Sequence, residues 1–299
     1  MAVTAKMVKD LREQTSAGMM DCKKALQETD GDMEAAADWL RTKGIAKAGK
    51  KASRVAAEGL VAMAANDSSG ALVEVNSETD FVSRNDTFQG AVKEIADLAL
   101  ESKDTDALAE AKTRSGKNVR DELTELVGTI GENMNLRRME RLDVDGGVVA
   151  GYIHNAVAPG MGKIGVLVGM KGGDTAAMQD LAKKIAMHVA ATSPLALSVD
   201  DLDQAVVAKE REMLKAEALE SGKPEAIVDK MVEGRMQKFF KESVLLTQAF
   251  VMDTDKTVEQ VAKDAGAELV GYRRMVLGEG IEKKEEDFAA EVAKTVKGE

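Results

Sequence analysis

Cysteine occurs once in 299 residues, as Cys22, which excludes an intrachain disulfide and every cysteine-built metal cluster. Lys23 and Lys24 follow it, but no histidine is placed to activate the thiol, so Cys22 reads as a structural residue. Histidine occurs twice, as His154 and His188, and neither stands at ligand spacing from the other. A histidine-based metal site would therefore rest on distant carboxylates, and no metal or cofactor is expected. Aromatic residues are 3% of the chain with a single tryptophan, Trp39, which leaves little material for base-stacking platforms. The cores must be aliphatic, with 17 methionines as adaptable filler. No apolar run approaches the roughly 18 residues of a spanning helix, and the N-terminus lacks an apolar signal core, so the expectation is a soluble protein of the cytoplasm. A positive balance is missing too. The net charge of -11 works against a generic nucleic-acid binder, which needs cations to neutralise phosphates.

The stretch around which the rest is organised is Ala71–Phe88, ALVEVNSETDFVSRNDTF. Ala71–Asn76 alternates as a strand, with Val73 and Val75 on one face and Leu72, Glu74 and Asn76 on the other. Ser77–Asp86 is polar yet carries Phe81 and Val82 at its middle. Asp86 is the expected N-cap, with Gln89 as its box partner, of a helix in which Phe88, Val92, Ile95 and Ala99 share a face. This is a strand, an exposed elbow and a helix. Phe81 and Val82 either tuck back as satellite core or, on a sharper reading, Phe81 points outward beside Asp80 as a wedge for a partner's pocket.

The chain reads as an α+β protein. Residues 1–42 form three short helices: Thr4 to Gln14, Asp21–Glu28 and Asp32–Arg41. A module this small is marginal alone and suits a docking head. Residues 43–57 read as a basic, partly helical linker. Residues 58–141, and 142–199 with 242–280, repeat one order of elements: two strands, a long helix, a shorter helix and a last strand. Paired arginines, Arg137 with Arg138 and Arg273 with Arg274, mark both last strands. Asn155–Gly162 reads as a loose connection. Residues 200–241 read as an inserted antiparallel helical hairpin, with Leu202, Val206, Met213 and Leu214 on one stripe and Ile227, Val228, Met231, Val232, Met236, Phe239 and Phe240 on the other. Narrow stripes on two long helices invite a protein contact, and self-association through the hairpin is one expectation. Residues 281–299 carry an amphipathic segment, Asp287–Val296, that packs back on its own domain or docks on a partner.

Catalytic patterns are scarce. Pro159-Gly160-Met161-Gly162-Lys163-Ile164 lacks the upstream glycine and the hydroxyl of a phosphate loop. Glu78 and Asp80 would do acid–base work only in a cleft that shifts a pKa. His188 reads as a packed helix residue, while His154, at a strand end, is either a surface contact or a structural hydrogen bonder. Arg41–Arg54 holds six basic residues and no acidic one, a solvated face unless RNA or an acidic partner covers it. A non-enzymatic binding protein leads, ahead of an enzyme using Glu78 and Asp80 and an RNA-binding scaffold using residues 41–54.

Two stretches, Leu11–Leu26 (LREQTSAGMMDCKKAL) and Glu74–Arg84 (EVNSETDFVSR), closely resemble the bacterial translation elongation factor Ts family. Ile185–Ala191 (IAMHVAA), Val232–Met236 (VEGRM), Gly278–Ile281 (GEGI) and the terminal DFAAEVA support it. The resemblance implies a ubiquitin-associated-like N-terminal domain, two related core subdomains, an inserted helical hairpin and a C-terminal helical module. It implies exchange of guanine nucleotide on elongation factor Tu, without covalent chemistry and without direct nucleic-acid or membrane binding. On this resemblance Thr79, Asp80, Phe81 and Val82 form the loop that enters beside the partner's magnesium, with Phe81 wedged between helices. Arg12, Met19 and Met20 contact the nucleotide-binding domain, and His154 another domain. The connection at Asn155–Gly162 is longer than the family pattern, which bears on the His154 contact.

Overall fold

The computed structural model describes residues 3–15, 17–220 and 225–282. Three helices open the chain, α1 (Ala5–Thr15), α2 (Met19–Glu28) and α3 (Met33–Lys51), around a small core of Leu11, Cys22, Ala25, Leu26 and Ala36. The Thr4 and Asp32 side chains cap α1 and α3, accepting from the backbone N–H of Met7 and Ala35. Cys22 is buried, and burial pushes its thiol above its ordinary pKa, as suits a packing residue. The third helix does not stop at Arg41. It continues ten residues through the segment read as a linker, because Lys and Ala there are good helix formers and Gly44 gains a packing contact.

Strands β1 (Glu58–Ala65) and β2 (Ser69–Ser77) form a hairpin whose turn is held by Asn66 Oδ1, which accepts from the N–H of Ser68 and Ser69. Helices α4 (Asp86–Ala99), α5 (Thr105–Glu110) and α6 (Val119–Ile130) follow, then β3 (Met134–Asp143), β4 (Gly147–His154), β5 (Met161–Gly162) and β6 (Ile164–Gly172). The chain continues as α7 (Thr175–Thr192), α8 (Gln204–Glu220), α9 (Glu225–Ser243), β7 (Ala249–Phe250), β8 (Asp253–Thr257), α10 (Val258–Asp264) and β9 (Ala267–Val276). The architecture is α+β.

Two antiparallel sheets, β3-β2-β1-β5 and β4-β6-β9, lie face to face. Val61, Leu72, Leu142, Val144, Val149, Leu167 and Met275 fill the space between them. The alternate residues point outward: Leu60, Val73 and Val75 meet Phe88, Val92, Ile95 and Leu123 of the helices over the first sheet, and Val166, Val168 and Met170 meet Ile185 and Val189 over the second. Burying Phe88 completely contributes roughly 1.5–3 kcal/mol, so each helical layer is held by its sheet-facing stripe rather than by helix propensity. The sheets approach closely where Gly165 faces Val61 and Leu72: a Cβ there would sit 2.8 and 2.7 Å from their side chains.

Several expectations need correction. Asn85, not Asp86, caps α4, with its Oδ1 accepting from Phe88 N–H at 3.0 Å, while Gln89 donates to Ser83 O instead of closing a capping box. The connection at Asn155–Gly162 is not loose, because Met161 and Gly162 pair with Ala62 and Val61 and fasten the second half of the chain to the first sheet. In the hairpin, Leu214 and Ala218 pack on Val228, Val232 and Met236, with Val207 alongside. Val206, Met213 and Ile227 face solvent, and Leu202 lies before α8 in a separate cluster with Ala196 and Val244. The two helices therefore cover each other through part of the expected stripes, while Val206 and Met213 of α8 and Ile227 of α9 stay exposed. The segment Asp287–Val296 lies outside the described residues.

Candidate protein-docking site

The elbow begins where β2 ends. Ser77 Oγ donates to Thr79 O at 2.9 Å and Ser83 Oγ donates to Asp80 O at 2.6 Å, so two hydroxyls replace the ladder that the strand has left. A single 3-10 turn, Val82–Arg84, then leads into α4. The two apolar residues of the elbow separate: Val82 is 4% exposed and belongs to the core under α4, whereas Phe81 is 79% exposed. Within this loop Val82 therefore acts as the anchor, its side chain enclosed by the core. Asp80, the residue before Phe81, is also exposed. Thr79 is half-buried and turned inward, with its N–H and hydroxyl donating to the two oxygens of Glu132 at 2.9 and 2.6 Å.

Glu78 is not free for acid–base work. It accepts from Asn133 N–H at 2.6 Å and from Arg54 Nη1 at 3.3 Å. The basic stretch is similarly occupied: Arg41 pairs with Asp38, Lys43 lies 4.1 Å from the Trp39 ring centre, Lys51 donates to Gly131 O and Arg54 holds Glu78. Lys51 and Arg54 thus make structural contacts with the core, while Arg41 and Lys50 stay exposed.

Under the elbow lies a buried ionic hub. Glu74 has no exposed surface and accepts from Arg137 Nη1 at 2.9 Å, Arg138 Nε at 2.6 Å, Asn76 Nδ2 at 3.0 Å and Gly278 N–H at 2.8 Å. A β-bulge permits this. Opposite Glu74 and Val75, the third strand advances from Arg138 to Leu136, so Arg137 is the extra residue and two successive arginines reach one carboxylate. Burial pushes the Glu74 carboxyl up, but these four donors outweigh it and hold the group below its ordinary value. Arg138 also donates to Val276 O, and Arg137 to Glu279 O, which ties the end of β9 to the first sheet.

The strand register places the elbow and His154 at the same end of the double sheet, on opposite sheets. His154 pairs with Ile164 and Ile164 with Val276, while Gly278, just beyond, presses on Ala57 at the start of β1. His154 is exposed, with Tyr152 Oη 3.1 Å from its Nδ1. His188 is fully buried: Val251 N–H donates to its Nδ1, so Nε2 carries the proton toward Gln248 Oε1 at 2.8 Å. Burial lowers its pKa and keeps the ring neutral. In the N-terminal helices Met19 and Met20 are 61% and 76% exposed, and Arg12 is exposed on α1. No helix among the described residues is long and apolar enough to cross a membrane.

Exposed Phe81, Met19 and Met20 on an α+β fold are the features of a protein that docks on another protein. A model of the family Elongation factor TS matches residues 78–279. Elongation factor Ts of Paracoccus denitrificans (strain Pd 1222) is 58% identical over 298 residues, spanning all of both chains. The Elongation factor Ts proteins of Maricaulis maris (strain MCS10) and Caulobacter vibrioides (strain ATCC 19089 / CIP 103742 / CB 15) are 59% and 57% identical over 303 residues, each covering 97% of both chains. The chain belongs to the elongation factor Ts family.

Glu132, Asn133, Arg54 and the role of Glu74 were not found from sequence. A carboxylate on the inner face of a valine-rich strand, with two adjacent arginines on a later strand, was the available signal for Glu74. Nothing local marks Glu132, which meets Thr79 across 53 residues of sequence.

Proposed function

We infer that Asp80 and Phe81, at the tip of the elbow, carry the action of this chain as the guanine-nucleotide exchange factor that binds elongation factor Tu–GDP. The chain is not a catalytic enzyme. It promotes GDP release, so that GTP can load during translation elongation, by spending the free energy of protein contact on weakened nucleotide binding. The observation that supports this assignment is the split between neighbours: Val82 is enclosed in core while the Phe81 ring stands in solvent and Asp80, the residue before it, is exposed. A GTPase holds GDP through a phosphate-cradling loop and magnesium. The Phe81 ring enters between partner helices near that region, and the Asp80 carboxylate competes with the groups that support the metal. Thr79 presents these two residues, and Val82 anchors them.

On the same reading residues 1–42 are a ubiquitin-associated-like docking head, with Arg12, Met19 and Met20 on the nucleotide-binding domain. Residues 58–141, and 142–199 with 242–280, are two related subdomains carrying the hairpin 200–241, and His154 meets a further partner domain. The site of action is the cytoplasm. Release of a fluorescent GDP from the cognate elongation factor Tu, with and without this chain, tests the function directly. Acceleration that saturates with chain concentration is expected, and an unchanged release rate would reject it.

A further inference from the structure

We propose that Glu132 is a positioning residue for nucleotide exchange: by holding Thr79 at two points it fixes the direction in which Phe81 and Asp80 are presented. This rests on the elbow reading above. Phe81 is exposed, so its ring has little of its own chain to lean on, and its direction is set by the backbone that carries it. That backbone is gripped just upstream by an interlocking pair of dipeptides. Glu132 accepts the Thr79 N–H and hydroxyl at 2.9 and 2.6 Å, and Glu78 in turn accepts Asn133 N–H at 2.6 Å. Each acid reaches across to the residue beside the other, so the two segments cannot slide past one another without breaking all three bonds.

The turn supplying Glu132 is itself fastened. Gly131 ends α6 in the left-handed region, at φ 90°, and its carbonyl accepts from Lys51 at the end of α3. Asn133 Nδ2 donates to Arg54 O at 2.8 Å, and Arg54 returns to Glu78 at 3.3 Å. The turn at 131–133 is thus a bracket between the helix that comes from the N-terminal head and the loop that meets the nucleotide site. A wedge must arrive already aimed, because a loop that orders only on contact loses part of its binding free energy to ordering. Glu132 removes that cost in advance through its two bonds to Thr79.

The test compares full-length Glu132→Ala, Glu132→Gln, Phe81→Ala and the Glu132→Ala/Phe81→Ala pair. The maximal rate of fluorescent GDP release from elongation factor Tu is read at saturating chain, with melting of each variant alongside. Glu132→Ala should lower that maximal rate by about 5- to 20-fold, the scale of re-ordering one loop residue on contact. Glu132→Gln, which keeps one acceptor for Thr79, should recover part of it. The Glu132→Ala change should slow Phe81→Ala by clearly less than it slows the wild type, since only the presentation of Asp80 is left to lose, a non-additivity that a general loss of stability would not give. Should Glu132→Ala melt below the assay temperature, Thr79→Val, which removes only the hydroxyl donor, replaces it with the same non-additivity expected. A full rate in Glu132→Ala, or additive losses in the double variant, with Phe81→Ala slow, overturns the positioning role and leaves the elbow reading standing. A full rate in folded Phe81→Ala overturns the elbow reading, and this inference with it.

Discussion

Phe81 and Val82 are adjacent, apolar and oppositely placed, so truncating each in turn separates binding from folding. In the free chain only about a fifth of the Phe81 surface is out of water, and Phe81→Ala should change stability by well under 1 kcal/mol, roughly the range of surface substitutions. Bound, a fully enclosed ring of hot-spot quality contributes about 2 kcal/mol or more. Loss of that amount lowers exchange at limiting chain by roughly 30-fold, at tenfold per 1.4 kcal/mol. Val82→Ala does the reverse. It removes two buried methylene equivalents at about 0.8 kcal/mol each and leaves a small cavity under α4, for a total of about 2 kcal/mol. For a chain of this size that lowers the melting temperature by about 3 °C while exchange measured below the transition stays near normal. Stopped-flow release of labelled GDP against excess unlabelled nucleotide, with thermal denaturation of the free variants, measures both quantities. Asp80→Asn, which keeps the shape and removes the charge, should slow release with little change in melting. A folded Phe81→Ala that exchanges at the full rate, or loses several kcal/mol of stability, would refute the reasoning.

Glu74→Gln leaves Arg137 and Arg138 facing a neutral amide and should cost roughly 3–5 kcal/mol in chemical denaturation, as for a buried pair stripped of one partner. The Glu74 carboxyl is held below its ordinary 4.5, so its contribution is present above that pH and is lost as pH falls below it; the stability gap between wild type and Glu74→Gln should close on acidification. His188 is held below its ordinary 6.5 by burial, so the unfolded chain takes up its proton first and stability should fall as pH drops below 6.5, a slope absent from His188→Gln melts. A Cβ on Gly128 would lie 2.7 Å from Gly44 Cα, so Gly128→Ala should force α3 off α6, cost about 1–3 kcal/mol in denaturation and weaken partner binding. Gly90→Ala on α4, where a Cβ meets nothing within 4 Å, should be stabilising by up to about 1 kcal/mol.

Much of the fold is legible because its elements are strongly periodic: the strand read over Ala71–Asn76 lies within β2, and Phe88, Val92, Ile95 and Ala99 form the buried face of α4. The third helix ran on because a lysine- and alanine-rich segment has no stop signal until Ala52, and polar composition there was mistaken for a tether. The short α5 was missed because six residues carry too little periodicity to register. The hairpin stripes were misassigned where charged neighbours blur the period, so Val206 was preferred to Val207. At the site, sequence identified the elbow but left two burial states open for Phe81, since a hydrophobic pair in a polar loop has no periodicity to say which member turns inward. The bracket at residues 131–133 is a long-range arrangement of common residue types, and only the folded chain brings it together.

The contact of Gly44 with Gly128 has a kinetic meaning. Two backbones this close seat α3 directly on α6, so the N-terminal helices join the core through a packed contact instead of a flexible tether. A partner captured first by the head meets the elbow at a local concentration set by a fixed geometry, with no term for the length of a flexible chain. Departure is constrained in the same way: neither surface can let go and search while the other holds, so the complex should dissociate in one concerted step. A flexible insert placed at Gly44 would convert that single off-rate into two, with the head lingering after the elbow has left.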